Sequence, residues 1–568
     1  MKLAKELVLF LLIYLVMSET LLAINNYQED LKILSQELSK VKAFFEANKS
    51  HMETERINQT LTYLELVESS LTDAEKYLAE KDYFEAELKI ELSKMAIGKT
   101  YVKASRSLKV EARVISVDAG TLSRKALSHS LPNLVEEIAE AGFNTIFVEV
   151  LRDDGYVVYP SEYMELAPEL KGLDPLGELV ELSKAKKIDV FPWQKVFFAA
   201  ANGTLGPVLN KHPEWIALDR FQKGLDAYSL AWFSPAHPKA REFICNYIFE
   251  MWQKYDFAGC QLDYVRNAVN PLEDNDFSYD QASLDLFNSL YGYNPLELKY
   301  PSAAIRTRPE YTPGDFGPEW ENWQAFREEL ITSLVAKIAK TLKNAKPDAM
   351  ISVGIATALW GGGTLEQAYF RQQNWPVWLD RHLVEILSPL VYQNDLSIVL
   401  REVENVKAVA DGRAMQYPSL GVQAMDNPYQ LLEQIEAVRD LGEPGMRIFA
   451  YPYLKTEHFK LLKEGPFREQ AFPPYKDLFK SSYLLLEDLL ELVSSETENE
   501  LYNDLESLKK RLEITLEADL KRQYAAVKYL LNKLPRITQN VTDKTVEMEV
   551  KRLKTLLSVY EYKNRFII

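Results

Sequence analysis

The stretch Tyr255-Asp-Phe-Ala-Gly-Cys-Gln-Leu-Asp-Tyr-Val-Arg266 presents Asp263, Tyr264 and Arg266 in quick succession at the end of a short apolar run. Such a run, leaving Gly259 and alternating in and out, reads as a buried parallel strand. In a (β/α)8 barrel, a carboxylate on the last inward position of a strand lies on the face where these folds keep their active sites. Asp263 is therefore the first catalytic candidate. Its chemistry as acid, base or nucleophile needs a second carboxyl whose surroundings hold it in the other protonation state. Two residues qualify equally. Asp118 ends an apolar run with the inward parity of Val114 and Ser116, and Glu149 stands near the end of another, where an unpartnered carboxylate is costly. The alternative readings are structural: a loop cap for Asp263, and an ion pair with Arg152 or Arg266 for its partner. Asp153, Asp154 and Asp395 read as turn residues, and Glu385 falls at the amino end of its strand, the face that serves stability.

The elements that must position these residues begin near Val110, where strand and helix patterns start to alternate. Eight strands are predicted: Glu111 to Asp118, Asn144 to Leu151, Ile188 to Gln194, Phe257 to Tyr264, Ala349 to Ala356, Val384 to Gln393, Gly412 to Leu420 and Met446 to Tyr453. Helices opening at Pro175 and Pro238 have a first-turn proline, and Trp323, Phe326, Leu330, Leu334 and Ile338 mark one face of another. The predicted fold is an α/β (β/α)8 TIM barrel with N-terminal and C-terminal α-helical regions. An open doubly wound sheet fits the alternation nearly as well, but no Gly-rich phosphate-binding turn follows the first strand. Long connections from Lys195 to Pro235 and from Asn267 to Glu319 leave the carboxyl ends of strands, so they are expected to wall the barrel mouth.

Four divisions follow: residues 1–23, 24–105, 110–474 and 475–568. The first carries Lys2 and Lys5 before the apolar run Leu7 to Met17, which reads as an export signal. Leu21 is an imperfect residue for cleavage after Ala23, so an uncleaved anchor to the membrane is the alternative. Residues 24–105 repeat Leu31, Leu34, Leu38, Val41 and Phe45, then Leu64, Val67, Leu71, Ala74 and Leu78, at helical spacing. Leu501, Leu505, Leu508, Leu512, Leu516, Leu520, Tyr524 and Val527 trace one stripe near the other end, suited to packing or to self-association through the helical regions.

A net charge of −17 argues against nucleic acid as a partner, because phosphate binding needs clustered Lys and Arg. With six His and no paired ligand spacing, no metal site and no cofactor are expected. The two cysteines, Cys245 and Cys260, read as buried free thiols.

Five segments in order resemble one known family. They are Phe143 to Arg152 with Gly155 and Tyr159, Ser234 to Glu242, Phe257 to Arg266, Gln373 to Trp378 with Ser388 to Tyr392, and Ile448 to Tyr453. This pattern is similar to the bacterial glycosyl-hydrolase-like family ten, a group of TIM-barrel glycosidase-like proteins. The chain differs from that pattern in Glu149 where Gln is usual, in Tyr156 where Asp is usual, and in Asn267-Ala268 after the fourth strand, so its substrate contacts are expected to differ.

With the export signal and the carboxyl candidates above, the resemblance implies a glycoside hydrolase acting outside the cytoplasm on a polysaccharide, with peptidoglycan glycan strands foremost and Asp263 working with Glu149 or Asp118. A catalytically silent glycan-binding scaffold is the alternative. Trp193, Tyr264, Tyr392 and Tyr451, each near a strand end, are the candidate platforms or hydroxyl-binding residues for sugar rings, and Arg152 and Arg266 the candidates for orienting a carboxylate or an acidic substrate group.

Overall fold

Eight apolar runs pair side by side in a closed, all-parallel ladder. In the computed structural model, which describes residues 26–270, 275–302, 313–357, 370–493, 499–539, 541 and 543–565, the strands are β1 (Ala112–Val117), β2 (Thr145–Glu149), β3 (Asp189–Lys195), β4 (Gly259–Asp263), β5 (Met350–Ala356), β6 (Ile386–Val391), β7 in two pieces (Met415–Gln416 and Ser419–Gly421) and β8 (Gly445–Phe449). Each pairs with the next, and β8 returns to β1 with Ala112 opposite Gly445. The result is the (β/α)8 barrel expected from the alternating pattern. Pro418 lacks an N–H to give to the ladder, and β7 breaks there.

Between strands run the helices of the outer ring, and their starts follow local chemistry. Asp118, Asp174 and Asp395 each accept a backbone N–H from the first turn of a following helix, those of Thr121 (2.8 Å), Gly177 (2.9 Å) and Ser397 (2.8 Å). Pro175, Pro238 and Pro318 occupy first-turn positions, where a missing N–H costs nothing.

Inward parity sorts the barrel interior into layers. At the amino end, Ala112, Val114, Phe147, Phe191, Met350, Ile386 and Met415 form an apolar floor. That floor continues into the C-terminal helices Leu478–Leu492, Asn499–Thr515, Leu520–Gln539 and Lys544–Asn564, whose Leu485, Leu505, Leu530 and Leu556 are fully buried in the same core. The leucine stripe from Leu501 to Val527 thus belongs to two helices, separated after Thr515 where Asp519 caps the next turn. Residues 108–459 and 469–568 form one compact unit.

The other unit comprises residues 1–107 and 460–468. Its described part holds a helix over 26–48, then Thr54–Glu80 and Tyr83–Ala104, which reverse at Lys81 in the left-handed conformation. Val41, Phe45, Val67 and Ala74 are buried within it. The predicted signal or anchor lies outside the described residues, and no helix among those described is long and apolar enough to cross a membrane. Cys245 and Cys260 are both buried and free.

A wholly buried ion cluster joins the start of β1 to the helix before β8. Glu111 accepts from Arg439 Nε and Nη2 (2.7 Å each) and from Arg113 Nε (2.9 Å). Burial pushes the Glu111 carboxyl up, but the two guanidinium groups outweigh it and hold it at about 2 instead of 4.5. A carboxyl lowered on folding contributes stability above its unfolded value, lost as pH falls from 4.5 towards about 2. Glu111→Gln, which strands two buried cations, is expected to cost about 3–5 kcal/mol at pH 7 and to flatten the acid limb of stability against pH. Urea unfolding of parent and variant between pH 2 and 7 checks both expectations.

Candidate functional site

The carboxyl ends of the strands surround a cleft of about 840 Å³. Its floor is built by inward positions at the ends of five of the strands. Glu149 ends β2, Trp193 and Lys195 end β3, Asp263 ends β4, Leu390 stands near the end of β6 and Phe449 ends β8. The register explains their meeting: Glu149 lies opposite Trp193, and Lys195 opposite Asp263.

Asp263 is held at both oxygens. Trp193 Nε1 donates to Oδ2 at 3.0 Å, and the Tyr264 backbone N–H donates to Oδ1 at 2.7 Å. Tyr264 takes a φ of 51°, a left-handed conformation uncommon for a bulky residue, and with it the chain leaves the strand. Gly354 faces the carboxylate from β5, where a Cβ would stand 3.0 Å from Oδ1, so only glycine leaves the group its room. Phe449 meets the Trp193 ring edge-on at 5.9 Å and stacks on Tyr392 at 4.9 Å, which makes an aromatic wall beside the carboxylate.

Glu149 and Asp263 are each 8% exposed, and Lys195 only 3%. Lys195 Nζ reaches Glu149 Oε1 at 2.6 Å and Asp153 Oδ1 at 2.8 Å, while the Ala119 N–H donates to Glu149 Oε2 at 2.9 Å. Burial raises the Glu149 carboxyl above its ordinary value, with Lys195 and the Ala119 N–H opposing. For Lys195 burial acts downward, but Glu149, Tyr264 and Asp153 outweigh it and hold the ammonium charged.

Beneath this layer Arg447 is fully buried. Its Nε donates to Ser116 Oγ at 2.6 Å, and its guanidinium packs 4.8 Å from the Trp193 ring. Among the described residues its two terminal nitrogens have no hydrogen-bond partner, so its charge acts on the carboxylates above through a medium of low polarity.

The structure gathers most of the predicted site residues and separates others by role. Asp263, Glu149, Asp118, Arg152, Trp193, Tyr264, Arg266 and Tyr392 all line the cleft. Asp118 is engaged as the cap of helix Ala119–Leu127, one oxygen accepting the Thr121 N–H and the other the Thr121 hydroxyl at 2.6 Å. Arg152, at the rim, is paired with Glu169 and with Asp154.

Tyr451 requires correction. β8 ends at Phe449 and residues Tyr451–Tyr453 form a 3-10 turn, so inward parity is lost and the Tyr451 hydroxyl reaches out to Glu137 at 2.5 Å. Pro452 and Tyr453 line the cleft in its place. Lys195 and Arg447 were not among the predicted site residues, although each shares the sequence parity of a predicted one, Trp193 for the first and Tyr451 for the second. Asp153, read from sequence as a turn residue, is the second carboxylate on Lys195. The described residues contain no group of three or more His, Cys, Asp or Glu suited to a metal ion.

A parallel barrel with two buried carboxyls and an aromatic wall at its carboxyl-terminal mouth defines the class of site. The family model described as "Glycosyl hydrolase-like 10" matches residues 116–415, more than half the chain, and the chain belongs to that family. It is 22% identical over 256 residues to "Glycosyl hydrolase YngK" of Bacillus subtilis (strain 168), covering 42% of each protein. With an "S-layer-related protein" of Niallia circulans it shares 22% identity over 296 residues, 46% of this chain and 17% of the relative. The chain therefore spans less than half the length of either relative. Among solved structures it is similar to the PgaB (BpsB) glycoside hydrolase domain from Bordetella bronchiseptica, with a TM-score of 0.48 and 14% identity over 63% of this chain and 99% of that domain. The catalytic domain of a β-amylase from Paenibacillus polymyxa gives a TM-score of 0.43 and 11% identity, over 63% of this chain and 96% of that domain.

Lys195→Met leaves the buried Glu149 without its cation. The variant is expected to lose about 3–5 kcal/mol of stability at pH 7. The loss shrinks as pH falls through the Glu149 value, because a protonated carboxyl needs no counter-charge. Denaturant unfolding at pH 7 and at pH 4.5 tests the size and the trend.

Proposed function

We propose that this chain is an exported glycoside hydrolase that cleaves a cell-envelope polysaccharide, peptidoglycan glycan strands foremost. The observation that carries the reading is the convergence of Asp263 and Glu149 on one cleft with an aromatic wall. Their strands are separated only by β3, so the backbones stand about 10 Å apart and both side chains lean into the same space. Such a spacing suits the carboxyl pairs of glycosidases, which lie roughly 5–10 Å apart. Family membership supports the reaction class, and the name of the S-layer-related relative supports a place in the cell envelope.

In this reading Glu149 is the acid. Burial favours the protonated form that can supply the leaving oxygen of the glycosidic bond. Lys195, bonded to it at 2.6 Å, opposes that effect and stabilises the carboxylate left once a proton has been given up. Asp263 is the base or nucleophile on the other side of the anomeric carbon. Its two N–H donors orient it without taking up the lone pairs that face the cleft. Phe449, Tyr392 and Tyr453 provide flat surface for sugar rings.

The two roles separate experimentally on substrates of different leaving-group acidity. Asp263→Asn is expected to reduce turnover of glycan strands and of an activated aryl glycoside alike, by roughly 10³-fold or more. Glu149→Gln should do the same on glycan strands but recover most of its rate on the aryl glycoside, whose leaving group needs little protonation. Activity of the parent should fall as pH rises through the Glu149 value, and Glu149→Gln should lose that alkaline limb. Reducing-end release and a pH profile of kcat/KM measure these outcomes. Binding of glycan without turnover by the parent would instead identify a glycan-binding scaffold.

A further inference from the structure

Lys195 is shared by two carboxylates in unlike surroundings. Its Nζ lies 2.6 Å from Glu149 Oε1, 2.8 Å from Asp153 Oδ1 and 4.4 Å from the centre of the Phe198 ring. The Glu149 side chain is 10% exposed and that of Asp153 66%. A charge on Asp153 keeps its water, whereas a charge on Glu149 is stripped of it, so Glu149 is the one that burial drives towards the neutral acid.

The loop that carries Asp153 is fixed where it stands. The Arg152 N–H donates to the Tyr156 carbonyl at 2.9 Å and the Gly155 N–H to the Arg152 carbonyl at 3.0 Å, which closes the turn. The Ala201 N–H donates to the Asp153 carbonyl at 2.6 Å. Gly155, at a φ of 85°, stands where a Cβ would come within 3.0 Å of the Ala199 carbonyl oxygen and of Gly206 Cα, so the turn lies tight against the next loop. Arg152 and Asp154, on either side, pair with each other at 2.6 Å, and Asp153 is the charged residue of the three that meets Lys195.

One ammonium cannot match two carboxylates at once. With Glu149 protonated, Lys195 and Asp153 form a neutral pair; with Glu149 ionised, the three groups carry one negative charge in excess. A lysine held by Glu149 alone would instead keep that carboxyl ionised, against the needs of an acid. The other groups that face Glu149 are the Ala119 N–H at 2.9 Å, Tyr264 beyond the end of β4, and Arg447 from β8 one layer down, while Asp118 and Asp263 share its cleft.

We propose that Asp153 is a positioning residue for the acid: it holds the Lys195 ammonium while Glu149 carries its proton, and Lys195 turns to Glu149 as that proton passes to the leaving oxygen. Lys195 keeps its three protons throughout, and Glu149 regains its own from water before the next turnover. This rests on the reading of Glu149 as the acid of a glycoside hydrolase.

The test compares pH profiles of kcat/KM on glycan strands for the full chain and for Asp153→Asn. Without Asp153 the ammonium pairs with Glu149 alone and favours its ionised form, so the alkaline limb is expected to move down by about one pH unit. Above the limb the variant is then roughly tenfold slower than the parent. The deficit closes at low pH, Asp153→Glu restores most of the limb, and an activated aryl glycoside shows a much smaller loss because its leaving group needs little protonation. Infrared difference titration follows the same exchange without turnover: the protonated-carboxyl band that disappears in Glu149→Gln should titrate about one unit lower in Asp153→Asn. An unshifted limb and band in a folded variant of a chain that cleaves glycan would overturn the inference and leave the hydrolase reading standing. A loss equal at every pH and on both substrates would also overturn it, marking Asp153 as a substrate contact. A shifted band in a chain that cleaves no glycan would leave the shared lysine but remove the acid's role together with the hydrolase reading.

Discussion

Closure of the parallel ladder is the constraint on which the site depends. β8 meets β1 with Gly445 opposite Ala112, and a Cβ at Gly445 would stand 2.6 Å from that of Ala112. Once the ring is closed in this register, every second residue of every strand must point inward. Glu149, Trp193, Lys195, Asp263 and Phe449 then converge because they are the last inward positions before their strands end. A slip of one residue in any strand would exchange its inward and outward sets.

The interior changes character from one end to the other. At the amino end it is apolar and merges with the core of the C-terminal helices, where Tyr475 also ties β2 and β3 by bonds to Thr145 and Asp189 at 2.7 and 2.8 Å. At the carboxyl end it holds charges whose burial is unfavourable: Glu149, Lys195, Asp263 and, one layer down, Arg447. Apolar packing and buried charge are thus assigned to opposite faces of the barrel. The apolar end and the Glu111–Arg439 cluster stabilise a fold that can then carry unfavourable electrostatics at its mouth.

Within the mouth, two kinds of environment stand side by side. Asp263 is oriented by N–H donors and given space by Gly354, whereas Glu149 is enclosed and governed by one lysine. Environments that differ in this way suit two carboxyls to different tasks, even though both end strands of the same repeat with one strand between them. At the edge, Arg152 and Arg266 extend the polar surface away from Glu149 and Asp263, in a chain whose overall charge is −17.

Much of this was legible in the chain itself. Eight apolar runs separated by helical patterns determined the barrel, because period-two and period-3.6 hydrophobicity are local properties. Asp263 and Glu149 stood out because a carboxylate inside an apolar strand needs a reason. Tyr451 was misplaced because the end of β8 depends on how residues 450–453 turn over the rim, and Lys195 was overlooked because a lysine ending a strand ordinarily reaches solvent. Only the tertiary structure decided that Asp118 is spent on a helix cap, that Lys195 binds Glu149 and Asp153, and that Arg152 is paired with Glu169 and Asp154. Hydrophobic period is written along the chain, whereas the partner of a charge is set by which distant strand or loop the closed barrel brings within about 4 Å of it.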